Sequence, residues 1–198
     1  IGLCATVLAT VLGTLAAIGL SNPVMPLQRM IMAVLLSPMI VPLIITAAGM
    51  YFFYTQLGLA GSYLGVIIAH AALGTPFVII TVNAALSGFD YSLMRASLGL
   101  GATPVQTFFK VIMPLIRPGV ISGSLFAFVT SFDEVVIILF LAGPEQRTIP
   151  RQMFSGLREQ INPTILAVAV LLVVVSALML LTIEYLRARG ERIRAGEV

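Results

Sequence analysis

The sequence predicts an all-α integral membrane bundle, and three observations predict it. Of the 198 residues, 59% are hydrophobic and only 10% charged, where a soluble domain carries roughly 25% charge. Five apolar runs are each long enough to cross a hydrocarbon core of roughly 30 Å. Only one stretch between them, 90–118, combines helix caps, turn residues and spaced cations.

The chain opens as Ile1-Gly2-Leu3-Cys4, without Met and already inside an apolar segment. A signal peptide would need a positive leading region and a small-residue cleavage site, and neither is present. The expectation is that the sequence is a fragment and that at least one further span precedes it. The first run extends to about residue 20, where Ser21-Asn22-Pro23 breaks it. The second covers about 30–54, the third 63–86, the fourth 120–142 and the fifth 163–185. Pro38, Pro42 and Pro76 fall within spans, which is tolerable where neighbouring helices satisfy the freed backbone groups. Small residues (among them Gly13, Ala17, Ala47, Gly49, Ala69 and Ala72) favour close helix–helix approach.

Charge placement orients the bundle. If the tail arginines 187, 189, 192 and 194 are cytoplasmic, five alternating spans put Arg29, Arg95, Lys110 and Arg117 on the same side. Arg147, Arg151 and Arg158 remain on the other side, all in the 143–162 loop, an asymmetry that fits the positive-inside rule. The expected organisation is thus a membrane domain over 1–186 and a cytoplasmic basic tail over 187–198. The net charge of +3 reports topology and does not point to nucleic acid. A lone Cys4 leaves no disulfide framework. Without His/Cys clusters, a Gly-rich phosphate loop or HExxH, neither a cofactor nor catalysis is expected.

Within 90–118, Asp90 is placed to cap a short helix running to about Leu100. Gly101 fits the left-handed position after it. Thr103, Pro104 and Gln106 supply the N-cap, N1 and N3 of a second helix with a capping box. That helix is expected to end near Pro114, with a further break at Arg117-Pro118. Leu93, Met94, Leu98, Val105, Phe108 and Phe109 give this cytoplasmic pair more apolar surface than a free loop should show. Part must pack on the protein's own helices, and the rest invites a protein partner or the lipid headgroup layer.

In the 143–162 loop, Met153, Leu157 and Ile161 recur at helical spacing, which predicts a short amphipathic helix on the outer face. It is either a lid on the membrane surface or a docking surface. Asp133 and Glu134 lie deep in the fourth run, where an ionised carboxylate costs roughly 2.5 kcal/mol or more unless it meets a cavity or a cation. They either line a solute path, pair across a subunit interface or cap a broken helix. His70 reads as a hydrogen-bonded packing residue or a proton relay. Asn83 and Glu184 carry weaker signals, and Glu184 is assigned no transport role.

The pattern Arg95-Ala96-Ser97-x3-Gly101-x9-Val111-x-Met113-Pro114 resembles the EAA loop of type I ABC importer permeases: Glu-Ala-Ala, three residues, Gly, nine residues, Ile-x-Leu-Pro. Arg95 stands where that family prefers Glu, and Ser97 replaces the second Ala. The resemblance implies the permease bundle of that class and a coupling loop docking on a cytoplasmic ATPase dimer. Arg95, Ala96, Gly101, Ala102, Phe108, Val111 and Pro114 are the coupling candidates. Ser131-Phe132-Asp133-Glu134-Val135-Val136, Gly143-Pro144 and Thr148-Ile149-Pro150-x2-Met153-Phe154 are similar to the segment after the loop in spermidine/putrescine permeases. This implies Asp133 and Glu134 as substrate-pathway residues for a chain of ammonium groups. It also implies a second, homologous permease subunit, a periplasmic solute-binding protein, and a bacterial inner-membrane location with a cytoplasmic C-terminus. The chain would be the transport element, with ATP hydrolysis left to a separate subunit. The competing functions are an ion-coupled secondary transporter using His70, Asp133 or Glu134, and a scaffold without transport.

Overall fold

The computed structural model describes residues 1–22, 25–159 and 163–195, all helix and connecting turns without a strand. In order come α1 (Gly2–Leu20), α2 (Gln28–Ile40), α3 (Leu43–Gln56), α4 (Tyr63–Ser87), α5 (Tyr91–Gly99) and α6 (Pro104–Thr107). A π turn (Phe108–Ile112) leads to α7 (Met113–Phe132), α8 (Val136–Leu141), α9 (Ile149–Glu159) and α10 (Pro163–Ala195). Four helical stretches are long and apolar enough to cross a membrane: α1, α4, the continuous helix Pro104–Phe132 and the first part of α10.

The expected second span is not straight. Helices α2 and α3 meet at 106°, and counting the pair as one crossing gives five. The cause is local. Val41 precedes Pro42, whose ring pushes it out of the helical region, and it adopts φ −70°, ψ 133°. Pro42 is itself extended, at φ −53°, ψ 129°.

The core is α1, α4 and α7, closely packed because the facing residues are small. A Cβ on Gly13 would stand 2.6 Å from Val78 Cβ, and one on Gly74 2.9 Å from Ala127 Cβ. One on Gly119 would stand 2.6 Å from the Thr81 carbonyl oxygen, and one on Gly123 2.7 Å from Val78 Cα. Gly119, Gly123 and Ala127 recur every four residues, which puts them on one face of α7. Thr10 Oγ1 donates to Ser124 Oγ at 2.9 Å, joining α1 to α7. A second cluster gathers α3, α4 and α8 around Ala47, Tyr54, Leu73, Ile137 and Ile138. Helix α10 packs on α7 and α9, leaving large apolar residues such as Leu166, Val170 and Val173 exposed.

Two further expectations are corrected. The chain does not break at Pro114 or Pro118: it is helical from Pro104 to Phe132. Pro114 lacks an N–H and its ring crowds the carbonyl four residues back. The π turn relieves this by opening the ladder, with the Met113 N–H reaching back five residues to the Phe108 carbonyl. Conversely, the expected run 120–142 is interrupted at Asp133–Val135, where α7 ends before α8 begins. Helix α9 matches the amphipathic segment expected in the outer loop. Of the three spacing residues, Met153 is half-buried, whereas the Leu157 side chain and Ile161 lie outside the described residues, as do Pro23 and the side chains of Arg158 and of the tail arginines 187, 189, 192 and 194. Helix α10 runs without a break across the expected 186/187 boundary.

Candidate functional site

The 90–118 stretch folds as a helical hairpin at one end of the bundle. Asp90 starts it: the Ser92 N–H donates to Oδ1 at 2.8 Å and the Ser92 hydroxyl to Oδ2 at 2.6 Å. These bonds favour the ionised carboxylate and hold Asp90 below its ordinary pKa. Helix α5 ends in a Schellman motif. The Ala102 N–H reaches the Ser97 carbonyl at 3.2 Å and the Gly101 N–H the Leu98 carbonyl at 3.0 Å. Gly101 has φ +87°, which a residue with a Cβ adopts only with strain. The capping box closes the restart: the Thr103 N–H donates to Gln106 Oε1 at 3.0 Å and the Gln106 N–H to Thr103 Oγ1 at 3.3 Å.

One further bond ties the two legs. Ser97 Oγ lies 3.0 Å from the hydroxyl of Thr107, whose side chain is buried. Sequence reasoning marked Ser97 only as a departure from a pattern. The hairpin tip presents a row of apolar side chains outward: Leu100 is 89% exposed, Val105 66% and Phe109 62%. Met94 and Phe108 are half-buried, and Phe108 packs edge-to-face on Phe109 at 4.9 Å. Of the predicted coupling residues, Arg95, Ala96, Gly101 and Pro114 are exposed, while Ala102 and Val111 are half-buried. Leu100, the most exposed of the tip, was not singled out from sequence because it follows a helix face rather than belonging to one.

Behind the hairpin, where α1 and α4 end, lies a cavity of about 570 Å³ whose lining includes Ile18, Leu86, Phe89, Met94, Arg95 and Ile112. Tyr91 closes one side, its hydroxyl donating to the Ser21 carbonyl at 3.3 Å.

Asp133 and Glu134 sit at the far end of α7, roughly 30 Å from the π turn at 1.5 Å per residue. The structure separates them. Asp133 is exposed and takes the C-cap position of α7, its N–H bonded to the Val129 carbonyl at 3.2 Å. Glu134 is buried, and its Oε1 accepts the Ile137 N–H at 2.8 Å, which caps α8. Among the alternatives for Glu134, capping a broken helix therefore has direct geometric support. One turn earlier, Ser131 Oγ and His70 Nδ1 are hydrogen-bonded at 2.7 Å, the packing role anticipated for His70. Its Nε2 is buried without a protein partner. Asn83 is half-buried on α4 and Glu184 exposed on α10.

Beyond the break, the 143–148 segment is pinned by hydrogen bonds that its sequence spacing did not announce. The Gly143 N–H donates to Oε1 of the buried Gln146 at 2.7 Å. Arg151 Nη1 donates to the Gly143 carbonyl at 2.6 Å and the Gln146 carbonyl at 3.1 Å. Tyr63 Oη donates to the Glu145 carbonyl at 3.0 Å.

Residues 9–191 match the family described as the binding-protein-dependent transport system inner membrane component. The chain belongs to this family. Among curated relatives, the putrescine transport system permease protein PotI of Escherichia coli strain K12 is 33% identical, over 100% of this chain and 73% of its own length. The spermidine/putrescine transport system permease protein PotC of Haemophilus influenzae is 31% identical, over 87% and 67%. The molybdenum transport system permease protein ModB of Mycobacterium bovis is 32% identical, over 89% and 72%. The fold matches that of a chain in the MetNI methionine ABC transporter, with a TM-score of 0.61 at 20% identity, covering 98% of this chain and 92% of that one.

The chain is thus a multi-pass inner-membrane permease subunit of a type I ABC importer. Permeases of this family work with ATPase and substrate-binding partners. They are not themselves enzymes. Family membership sets aside the ion-coupled carrier and the scaffold.

Proposed function

We propose that this permease imports a polyamine or a related small solute, and that ATP hydrolysis in a separate dimer drives it through the 90–118 hairpin. The observation that carries the coupling half is the exposed apolar tip on a hairpin held by four local devices: the Asp90 cap, the Schellman turn, the capping box and the Ser97–Thr107 bond. An apolar ridge on a stiff support suits docking into a cleft. Arg95, Ala96, Gly101, Ala102, Phe108, Val111 and Pro114 form that unit. The unbroken helix from Pro104 to Phe132 is a rigid rod from the docking face to Asp133. A push at the hairpin therefore reaches the helix break through one continuous helix that includes the π turn.

The solute half rests on Asp133 and on the relatives. An exposed carboxylate at the C-terminus of α7 adds to the negative end of the helix dipole, a combination that favours an ammonium group. Two of the relatives named above are putrescine or spermidine/putrescine permeases, while ModB serves molybdenum transport. The charge asymmetry of the loops supports a cytoplasmic C-terminus and hairpin, with α9 on the periplasmic face where a solute-binding protein delivers its cargo. A second, homologous permease subunit completes the pathway, and the exposed apolar side of α10 faces it or lipid. The basic residues of 187–198 place this end of the chain on the cytoplasmic side.

Substitution of Gly101 by Val tests the coupling. The β-branched side chain is incompatible with φ +87°, so uptake by the reconstituted importer should fall more than tenfold with membrane insertion intact. Undiminished uptake would count against the hairpin as the coupling element.

A further inference from the structure

We infer that the cavity behind the hairpin is a binding site for an anionic phospholipid, with Arg95 as its headgroup ligand. The inference rests on the family assignment as a membrane permease but not on the solute or the coupling. The cavity lies where α1 ends at Leu20 and α4 at Ser87, the level at which two apolar helices leave the hydrocarbon. Apolar side chains form most of its walls, Ile18 from α1, Phe89 from the connection after α4 and Ile112 from the π turn among them, with Ser21 and Asn22 at the end of α1. A volume of about 570 Å³ falls within the ordinary range for small-molecule sites.

Its charge is of one sign. Arg95 is the single charged residue in the lining, and among the described residues it has no hydrogen bond or ion pair. Asp90, the nearest acid in sequence, feels the Arg95 charge, but its two oxygens are hydrogen-bonded to Ser92 and form no ion pair with the guanidinium. Arg29 and Lys110 lie near the same end of the bundle, so the local field favours an anion. Tyr91 sits on the rim, and its amphipathic ring suits the headgroup level. A guanidinium matches a phosphate diester in a bidentate geometry. The apolar walls would take the start of an acyl chain, which a free anion could not use.

Native mass spectrometry of the purified full-length permease, titrated with phosphatidylglycerol or phosphatidylethanolamine, tests the site. Phosphatidylglycerol should be retained at least threefold better by the unaltered chain. Arg95→Gln should erase the preference, and Arg117→Gln, outside the cavity, should keep it. Ile18→Trp fills the space from α1 and should lower retention with Arg95 present, a check independent of the charge change. Equal retention by Arg95→Gln, equal loss in Arg117→Gln, or unchanged retention in Ile18→Trp would each overturn the site. Displacement of the lipid by millimolar inorganic phosphate would also overturn it, in favour of a soluble anion.

Discussion

The hydroxyls of Ser97 and Thr107 stand 3.0 Å apart and join the two legs of the hairpin across ten residues of sequence. The Gly101 turn brings the legs together, and this bond fixes their register. A hydrogen bond of this kind contributes about 1 kcal/mol. Ser97→Ala should therefore speed amide exchange in α5 roughly fivefold and leave exchange in α4 unchanged. Equal protection in the two proteins would show that the turn alone sets the register.

A second prediction concerns packing between α4 and α7. Gly123 faces Val78 with no room for a methyl group, so Gly123→Ala should overpack the contact at a cost of about 1–3 kcal/mol. Thermal unfolding in mild detergent should show Tm falling by several degrees. Gly49→Ala is the control, since a Cβ there meets nothing within 4 Å, and it should be neutral or slightly stabilising.

The two acids at the helix break should separate by measurement. Glu134→Ala removes the cap on α8 and should cost about 1 kcal/mol, whereas Glu134→Gln keeps an acceptor for the Ile137 N–H and should retain most of the stability. Asp133→Asn leaves thermal stability unchanged, because that side chain is exposed, but should lower uptake of labelled putrescine at least tenfold. Uptake that survives Asp133→Asn and disappears in Glu134→Gln would move the solute contact to Glu134.

Asp90 makes the hairpin acid-sensitive. Its pKa is lowered in the folded chain by the hydrogen bonds from Ser92, so its contribution is complete above the ordinary carboxylate pKa. That contribution is lost as pH falls through the lower folded value. Limited proteolysis within 88–103 should therefore accelerate as pH falls into the acid range. Asp90→Asn retains an N-cap acceptor without the titration, and its proteolysis rate should not follow pH in this way.

Much of this protein was legible without coordinates because the signals are local. Span positions follow from apolar length. The Asp90 cap, the left-handed Gly101 and the Thr103–Gln106 box each depend on residues no more than three or four apart, and each lies where its chemistry demanded. Proline was the exception among local signals. Pro114 reads as a helix end, yet the backbone absorbs it in a π turn, and the packing of α7 along α4 favours keeping the rod whole. At Val41-Pro42 no comparable packing opposes the break, and the chain bends by 106°.

What only the tertiary structure decided were relationships between residues far apart in sequence. His70 with Ser131 and Thr10 with Ser124 join different helices, Tyr91 with Ser21 joins α5 to the turn after α1, and nothing in their spacing announces the pairing. The same holds for the cavity that Arg95 lines and for the separation of Asp133 from Glu134. Two adjacent carboxylates look equivalent in a string of letters. A break in the helix turns one outward and seats the other on the first N–H groups of α8, because buried backbone donors must find an acceptor and exposed ones need not.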